Sequence, residues 1–142
     1  MRFAFPVRIE PDGDGFLATF PGVVGAHTAG KTKGEAFKNA ADALIVALAA
    51  YIKQGEGLPA ARPPKRGERV VAVPPLAAAK LALYAGMRAA GLSNVSLGKR
   101  LGLSEGAVRR LLDLGHRSHI GQIEAALAVI GKRLIVDVAD AA

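Results

Sequence analysis

The residues best suited to chemistry cluster late in the chain: Lys99, Arg100, Ser104, Glu105, Arg109, Arg110, His116 and Arg117. A guanidinium can hold a guanine edge through two parallel hydrogen bonds or clamp a phosphate, so the adjacent Arg109 and Arg110 suit a nucleic acid. The surrounding segment Asn94 to Leu114, NVSLGKRLGLSEGAVRRLLDL, supplies a frame for them. A helix-turn-helix needs a small residue where its helices cross, a glycine in its turn, and apolar positions where the second helix sits on the first. Gly98, Gly102 and the set Leu97, Leu101, Leu103, Val108 and Leu111 meet those needs. Ser104 reads as the N-cap of the second helix, leaving Ser104, Glu105, Gly106, Arg109, Arg110 and Asp113 on its outward face. Ser104 and Glu105, near the helix start, and the two arginines are candidates for base edges. Lys99, Arg100, His116 and Arg117 are candidates for phosphates, which position a domain without reading sequence. The competing reading is an ordinary helical hairpin with solvated arginines.

Enzymatic chemistry has little to work with. The chain has no cysteine, and its three histidines are His27, His116 and His119. His27 lies between Ala26 and Thr28 with no acidic neighbour to orient it, which reads as a partly buried structural residue rather than a base. His116 and His119 lack a third metal ligand. Asp12 and Asp14 stand in the turn-forming run Pro11 to Gly15, and an apolar strand follows where a calcium loop would need further oxygen ligands. No glycine-rich phosphate loop, paired carboxylates on adjacent strands or serine-histidine-acid set is present. The expectation is no catalytic residue, no metal and no cofactor.

Charge divides the 142 residues into two parts. Residues 1–60 hold six basic and six acidic side chains, whereas residues 61–142 hold thirteen basic and six acidic, so the whole net charge of +7 lies in the later part. A neutral half joined to a basic half points to a polyanion as partner of the second, with a merely solvated basic surface as the alternative. At 51% hydrophobic residues the chain can bury a core. It opens without a signal-peptide run and holds no stretch near 18 apolar residues, so a soluble cytoplasmic protein is expected.

These side chains must be positioned by elements that the hydrophobic period identifies. Phe3, Phe5, Val7 and Ile9 alternate with polar residues as a strand does, with Pro6 where an edge would tolerate it. Phe16 to Phe20 reads as the returning strand of a hairpin, and Val23 to Thr28 as a third strand. Thr32 and Glu35 form a capping-box pattern that opens a helix ending near Gly55, with Phe37, Ala40, Ala41, Leu44, Leu48, Tyr51 and Ile52 as its apolar stripe. A proline-rich loop over residues 55–67 leads to a fourth strand, Arg69 to Val73. Beyond Pro74-Pro75 the pattern predicts four helices, Leu76–Ala90, Ser96–Leu101, Ser104–Leu114 and Ile120–Ile130, each closed by a glycine, then a short closing strand over Arg133 to Val138. The fold class is α+β, as two domains: residues 1–75, strand-strand-strand-helix-strand, and residues 76–142, all helical around the helix-turn-helix.

The chain also resembles a known family, the HicB antitoxins of bacterial type II toxin-antitoxin modules. Gly15-Phe16 ahead of Phe20-Pro21, then Gly25, Thr28, Gly30, Thr32, Glu35 and Ala36, look like the family signature, and Gly57-Leu58-Pro59 resembles its short segment after the helix. Gly22, Val24 and Lys31 depart from the commoner acidic residue, proline and aspartate. The resemblance implies a partial ribonuclease-H-like N-terminal domain without the metal-holding carboxylates of active nucleases. It implies docking on HicA, a small mRNA-cleaving toxin, whose active site the domain covers, and repression of the operon by operator DNA binding through the second domain. Modules of this kind bind as two-fold pairs, so a homodimer is expected. No toxin-facing residue can be named from the sequence. A neutral first half predicts a contact that is mainly apolar and shape-driven. Two other readings stay open: a free-standing regulator whose first domain senses a ligand or only dimerises, and, ranked last, a metal-dependent nuclease.

Overall fold

The computed structural model describes residues 1–141; Ala142, the last residue of the expected second domain, lies outside the described residues. Four strands come first: β1 (Ala4–Asp12), β2 (Gly15–Thr19), β3 (His27–Gly30) and, after the long helix α1 (Lys33–Gln54), β4 (Arg69–Ala72). They form one antiparallel sheet in the order β3-β2-β1-β4. Four helices follow: α2 (Pro75–Ala90), α3 (Asn94–Leu101), α4 (Glu105–Leu112) and α5 (Ile120–Val129). The class is α+β, with the element order that periodicity predicts through α5.

Pro6 shows how the sheet accommodates a residue without an N–H. β1 is central in the strand order, yet its residues 4–7 pair with β4 and its residues 8–12 with β2. Val73 donates to the Phe3 carbonyl, so the odd residues of this stretch face β4 and Pro6 turns its missing donor to the side β2 does not reach. It is a local edge inside a central strand.

β3 starts later than expected. Pro21-Gly22 and Gly25 fold residues 20–26 into a closed loop, with Phe20 N bonded to the Ala26 carbonyl at 3.1 Å and both glycines left-handed. That loop buries Val23 and Ala26 by turning rather than by pairing, and the strand begins at His27. His27 is exposed there, which corrects its expected partial burial. At α1 the Thr32 hydroxyl accepts from Glu35 N at 3.1 Å, while the reciprocal bond from Glu35 is not formed among the described residues. The buried stripe of α1 is Ala36, Ala40, Leu44, Ala47 and Leu48, packed on Phe5, Val7, Ala18 and Phe20 of the sheet.

Two apolar cores result, and α2 serves both. Its Ala77 and Leu81 belong to the sheet core, whereas Ala79, Leu83, Tyr84 and Met87 pack with α3, α4 and α5. Polar ties cross the same boundary: Tyr84 donates to the Glu56 carbonyl at 2.6 Å and Arg88 to the Gly55 carbonyl, satisfying the end of α1. The expected closing strand is absent. Residues 133–138 join no ladder among the described residues, because a strand needs a neighbour and none lies within reach in this chain.

Candidate nucleic-acid interface

The geometry of α3 and α4 starts from two glycines. A Cβ built on Gly98 would stand 2.6 Å from the Leu103 carbonyl oxygen, so only glycine permits the two segments to approach this closely. Gly102 adopts φ 68°, and the reversal is closed by Leu103 N donating to the Gly98 carbonyl at 2.8 Å. Serines open both helices: Ser93 accepts from Ser96 N and Ser104 from Ala107 N, each at 3.1 Å. The Ser93 cap explains why α3 begins two residues earlier than its periodicity predicts. Leu97, Val108, Leu111 and Leu112 are buried against Ile123, Ala126 and Leu127 of α5. Leu103, expected in that apolar set, is 37% exposed; its backbone makes the turn and Leu112 takes the packing role.

All eight candidate residues lie exposed on this unit. Lys99 and Arg100 occupy the last turn of α3, and Glu105, Arg109 and Arg110 project from α4. Glu105 and Arg109 pair one turn apart at 3.2 Å, a solvent-facing contact that a stronger anion can displace. The Ser104 hydroxyl is engaged as a cap, which leaves it only partly available to an external donor. His116 turns its Nδ1 toward the Ser118 hydroxyl at 3.1 Å, and Arg117 lies beside it. His119, weighed as a metal ligand, instead caps α5, its Nδ1 accepting from Gly121 N at 3.1 Å. Arg109 also borders a groove of about 660 Å³ between α1, α2 and α4, together with Lys53, Arg88 and Asp113.

One residue that sets this geometry escapes sequence reasoning. Lys80 of α2 is wholly buried, and its Nζ donates to the carbonyls of Arg110 at 2.8 Å and Asp113 at 2.7 Å and to the Ser118 hydroxyl at 2.8 Å. Those carbonyls belong to the C-terminal end of α4, where the helix dipole favours a cation. Burial pushes the ammonium's pKa down, opposed by the Asp113 carboxylate, and three acceptors for three protons satisfy the charged form. The clamp stops α4 at Leu112, two residues short of its expected end, and fixes the backbone that carries Arg110. A lone lysine in the apolar run LAAAKLALYAG was the available signal.

The sheet unit has its own ionic knot. Glu68, with its side chain 2% exposed, takes two bonds from Arg62 at 2.8 and 3.0 Å, one from Arg8 at 3.3 Å and one from Lys65 N at 2.7 Å. The hydrogen bonds from Arg62 lead in lowering its pKa from 4.5 to about 2. This knot fastens the proline-rich loop to β1. Among the described residues no three histidines or carboxylates gather closely enough to hold a metal, and no helix is long and apolar enough to cross a membrane.

Comparison with known proteins bears on the whole chain. Residues 4–82 match the family described as the HicB-like antitoxin of the bacterial toxin-antitoxin system. Antitoxin HicB 2 of Photorhabdus laumondii is 35% identical over 130 residues, covering 92% of each chain. Antitoxin HicB 1 of the same organism is 31% identical over 94% of this chain and 86% of its own. Antitoxin HicB of Escherichia coli K12 is 28% identical over 94% of this chain and 96% of its own. With sheet, α1 and the first part of α2 inside the matched region and these relatives aligned along nearly the full length, the chain belongs to the HicB-like antitoxin family of bacterial toxin-antitoxin systems.

Proposed function

We propose that this antitoxin binds a HicA-type mRNA-cleaving toxin through residues 1–75, a partial ribonuclease-H-like domain, and represses its own operon through residues 76–142. In this reading α3 and α4 are a helix-turn-helix, with α4 as the helix that enters the major groove. The observation that carries it is the crossing at Gly98, which aims an exposed basic face outward from a unit whose residues 76–142 hold nine basic against five acidic side chains. Arg109 and Arg110 read bases with Ser104 and Glu105 beside them, while Lys99, Arg100, His116 and Arg117 hold phosphates. Neutralisation works by covering the toxin's active site and asks no chemistry of this chain. Two copies bind a two-fold operator, half-sites about one helical turn apart.

The test is co-expression with the neighbouring small reading frame, followed by gel shift with the DNA upstream of the pair. The frame alone should arrest growth, the pair should purify as a complex, and that complex should retard the upstream DNA. A harmless neighbour that does not bind would overturn the toxin half of the proposal. Retardation unchanged by Arg109→Ala with Arg110→Ala would overturn the assignment of α4.

A further inference from the structure

We propose that residues 132–138 are the self-association surface of this protein, pairing with the same segment of a second copy as an antiparallel ribbon centred on Ile135. The inference deepens the two-fold operator reading and rests on it for the identity of the partner as a second copy. The segment leaves the helical core at a defined point: Gly131 is left-handed with φ 74°, Lys132 N bonds the Leu127 carbonyl at 2.9 Å, and Leu134 packs on the second core. Beyond that anchor the chain is unsatisfied. Ile135, Val136 and Val138 are 79, 79 and 88% exposed, and residues 133–138 make no backbone hydrogen bond among the described residues. A segment rich in β-branched residues, with backbone groups that make no hydrogen bond among the described residues, is a template for another strand.

The residues themselves choose the partner and the register. In an extended strand Leu134, Val136 and Val138 share one face, of which Leu134 alone packs on the core in the single chain, and Arg133, Ile135 and Asp137 share the other. A two-fold pairing that keeps like faces together must be centred on a residue rather than between two, since a one-residue slip exchanges the faces. Centring on Leu134 sets Arg133 against Ile135, and centring on Val136 sets Asp137 against Ile135. Centring on Ile135 sets Arg133 of each copy against Asp137 of the other, two opposite-charge pairs flanking an apolar contact. It also sets Leu134 of each copy against Val136 of the other on the opposite face. The segment is thus complementary to itself in charge and in hydrophobicity, as an isologous interface requires.

Sedimentation equilibrium of the full chain tests this, with the expected mass twice the 14.6 kDa of one chain. Arg133→Asp or Asp137→Arg alone places like charges opposite each other twice per dimer and should weaken association about tenfold, and the double reversal should restore it. Because the chain lacks cysteine, Ile135→Cys should form a single interchain disulfide on mild oxidation and Val136→Cys should not. A dimeric wild type with no cross-link at 135 and no response to charge reversal would overturn the ribbon while leaving the two-fold operator reading in place. A monomeric wild type that still retards the upstream DNA would overturn both the ribbon and the two-fold reading.

Discussion

The two halves of the molecule each bury an ionised side chain, and they compensate it in different ways. In the sheet unit Glu68 is held by the opposite charges of Arg62 and Arg8, so its partners are themselves side chains that reach in from a loop and a strand. In the helical unit Lys80 is held by neutral oxygens, the carbonyls of Arg110 and Asp113 and the Ser118 hydroxyl. A pair of opposite charges ties stability to pH through the acid member. A cation on a helix C-terminus ties it to the backbone geometry of that helix. The sheet unit is therefore the one sensitive to acid, and the helical unit the one in which a buried side chain governs the aim of a surface.

Substitutions should cost most at that surface. Arg109→Ala with Arg110→Ala should cost about 2–6 kcal/mol of binding to the upstream DNA, one base-contact loss per arginine, while thermal stability shifts by less than about 0.5 kcal/mol. Both side chains are exposed, so a melt that fell with the gel shift would show them to be structural.

Next in size is the clamp itself. Lys80→Met keeps the volume but removes three charge-assisted bonds, leaving the Asp113 carbonyl with His116 N and the Arg110 carbonyl with Asp113 N and the Ser118 hydroxyl, at a cost of about 2–4 kcal/mol in chemical denaturation. Affinity for the upstream DNA should drop further than stability alone accounts for, because α4 loses its anchor. Unchanged affinity in the folded variant would show that the clamp serves stability only.

Gly98→Ala sets two effects against each other. Alanine would add up to about 1 kcal/mol of helix propensity, but its Cβ would meet the backbone oxygen of Leu103, which cannot move away cheaply. The clash should win and destabilise the chain by about 1–3 kcal/mol, read as a lower denaturation midpoint.

The smallest effect sharpens the contrast in pH. Glu68 has its pKa lowered in the fold, so its contribution is present in full above about 4.5 and is lost as pH falls toward about 2. Wild type should outlast Glu68→Gln in thermal melts at pH 7, and the two should converge across that window. Lys80→Met should show no such convergence there, since the acceptors of Lys80 are neutral carbonyl and hydroxyl oxygens. Convergence of the lysine variant instead would overturn the division between the halves.

Periodicity in the sequence sufficed for α1, α2, β1, β2 and β4, because each pairs a clear period of 3.6 or 2 with a cap or a proline at its boundary. The crossing of α3 on α4 was legible for the same local reason: Gly98, Gly102 and Ser104 each do their work within five residues of their partners. β3 was displaced by the loop that Gly22 and Gly25 permit, where turn geometry outweighed β-propensity. Lys80 stood out only as a lone lysine in an apolar run, and its partners were not legible, since its acceptors lie 30 to 38 residues away and become neighbours only when α2 packs on α4. His119 as a cap and Leu103 as an exposed turn residue were likewise decided by where the helices end in space.

By itself the sequence determined the alternation of the N-terminal strands, the amphipathic helices, the placement of all net charge after residue 60 and the strand-like character of Arg133 to Val138. Those properties depend on residues adjacent along the chain. Only the tertiary structure decided which carbonyls a buried lysine would satisfy, which side of β1 would be free at Pro6, and that residues 133–138 would find no strand to pair with among the described residues. These depend on groups far apart in sequence, and a backbone donor or a buried charge takes whichever acceptor the packing brings within about 3 Å.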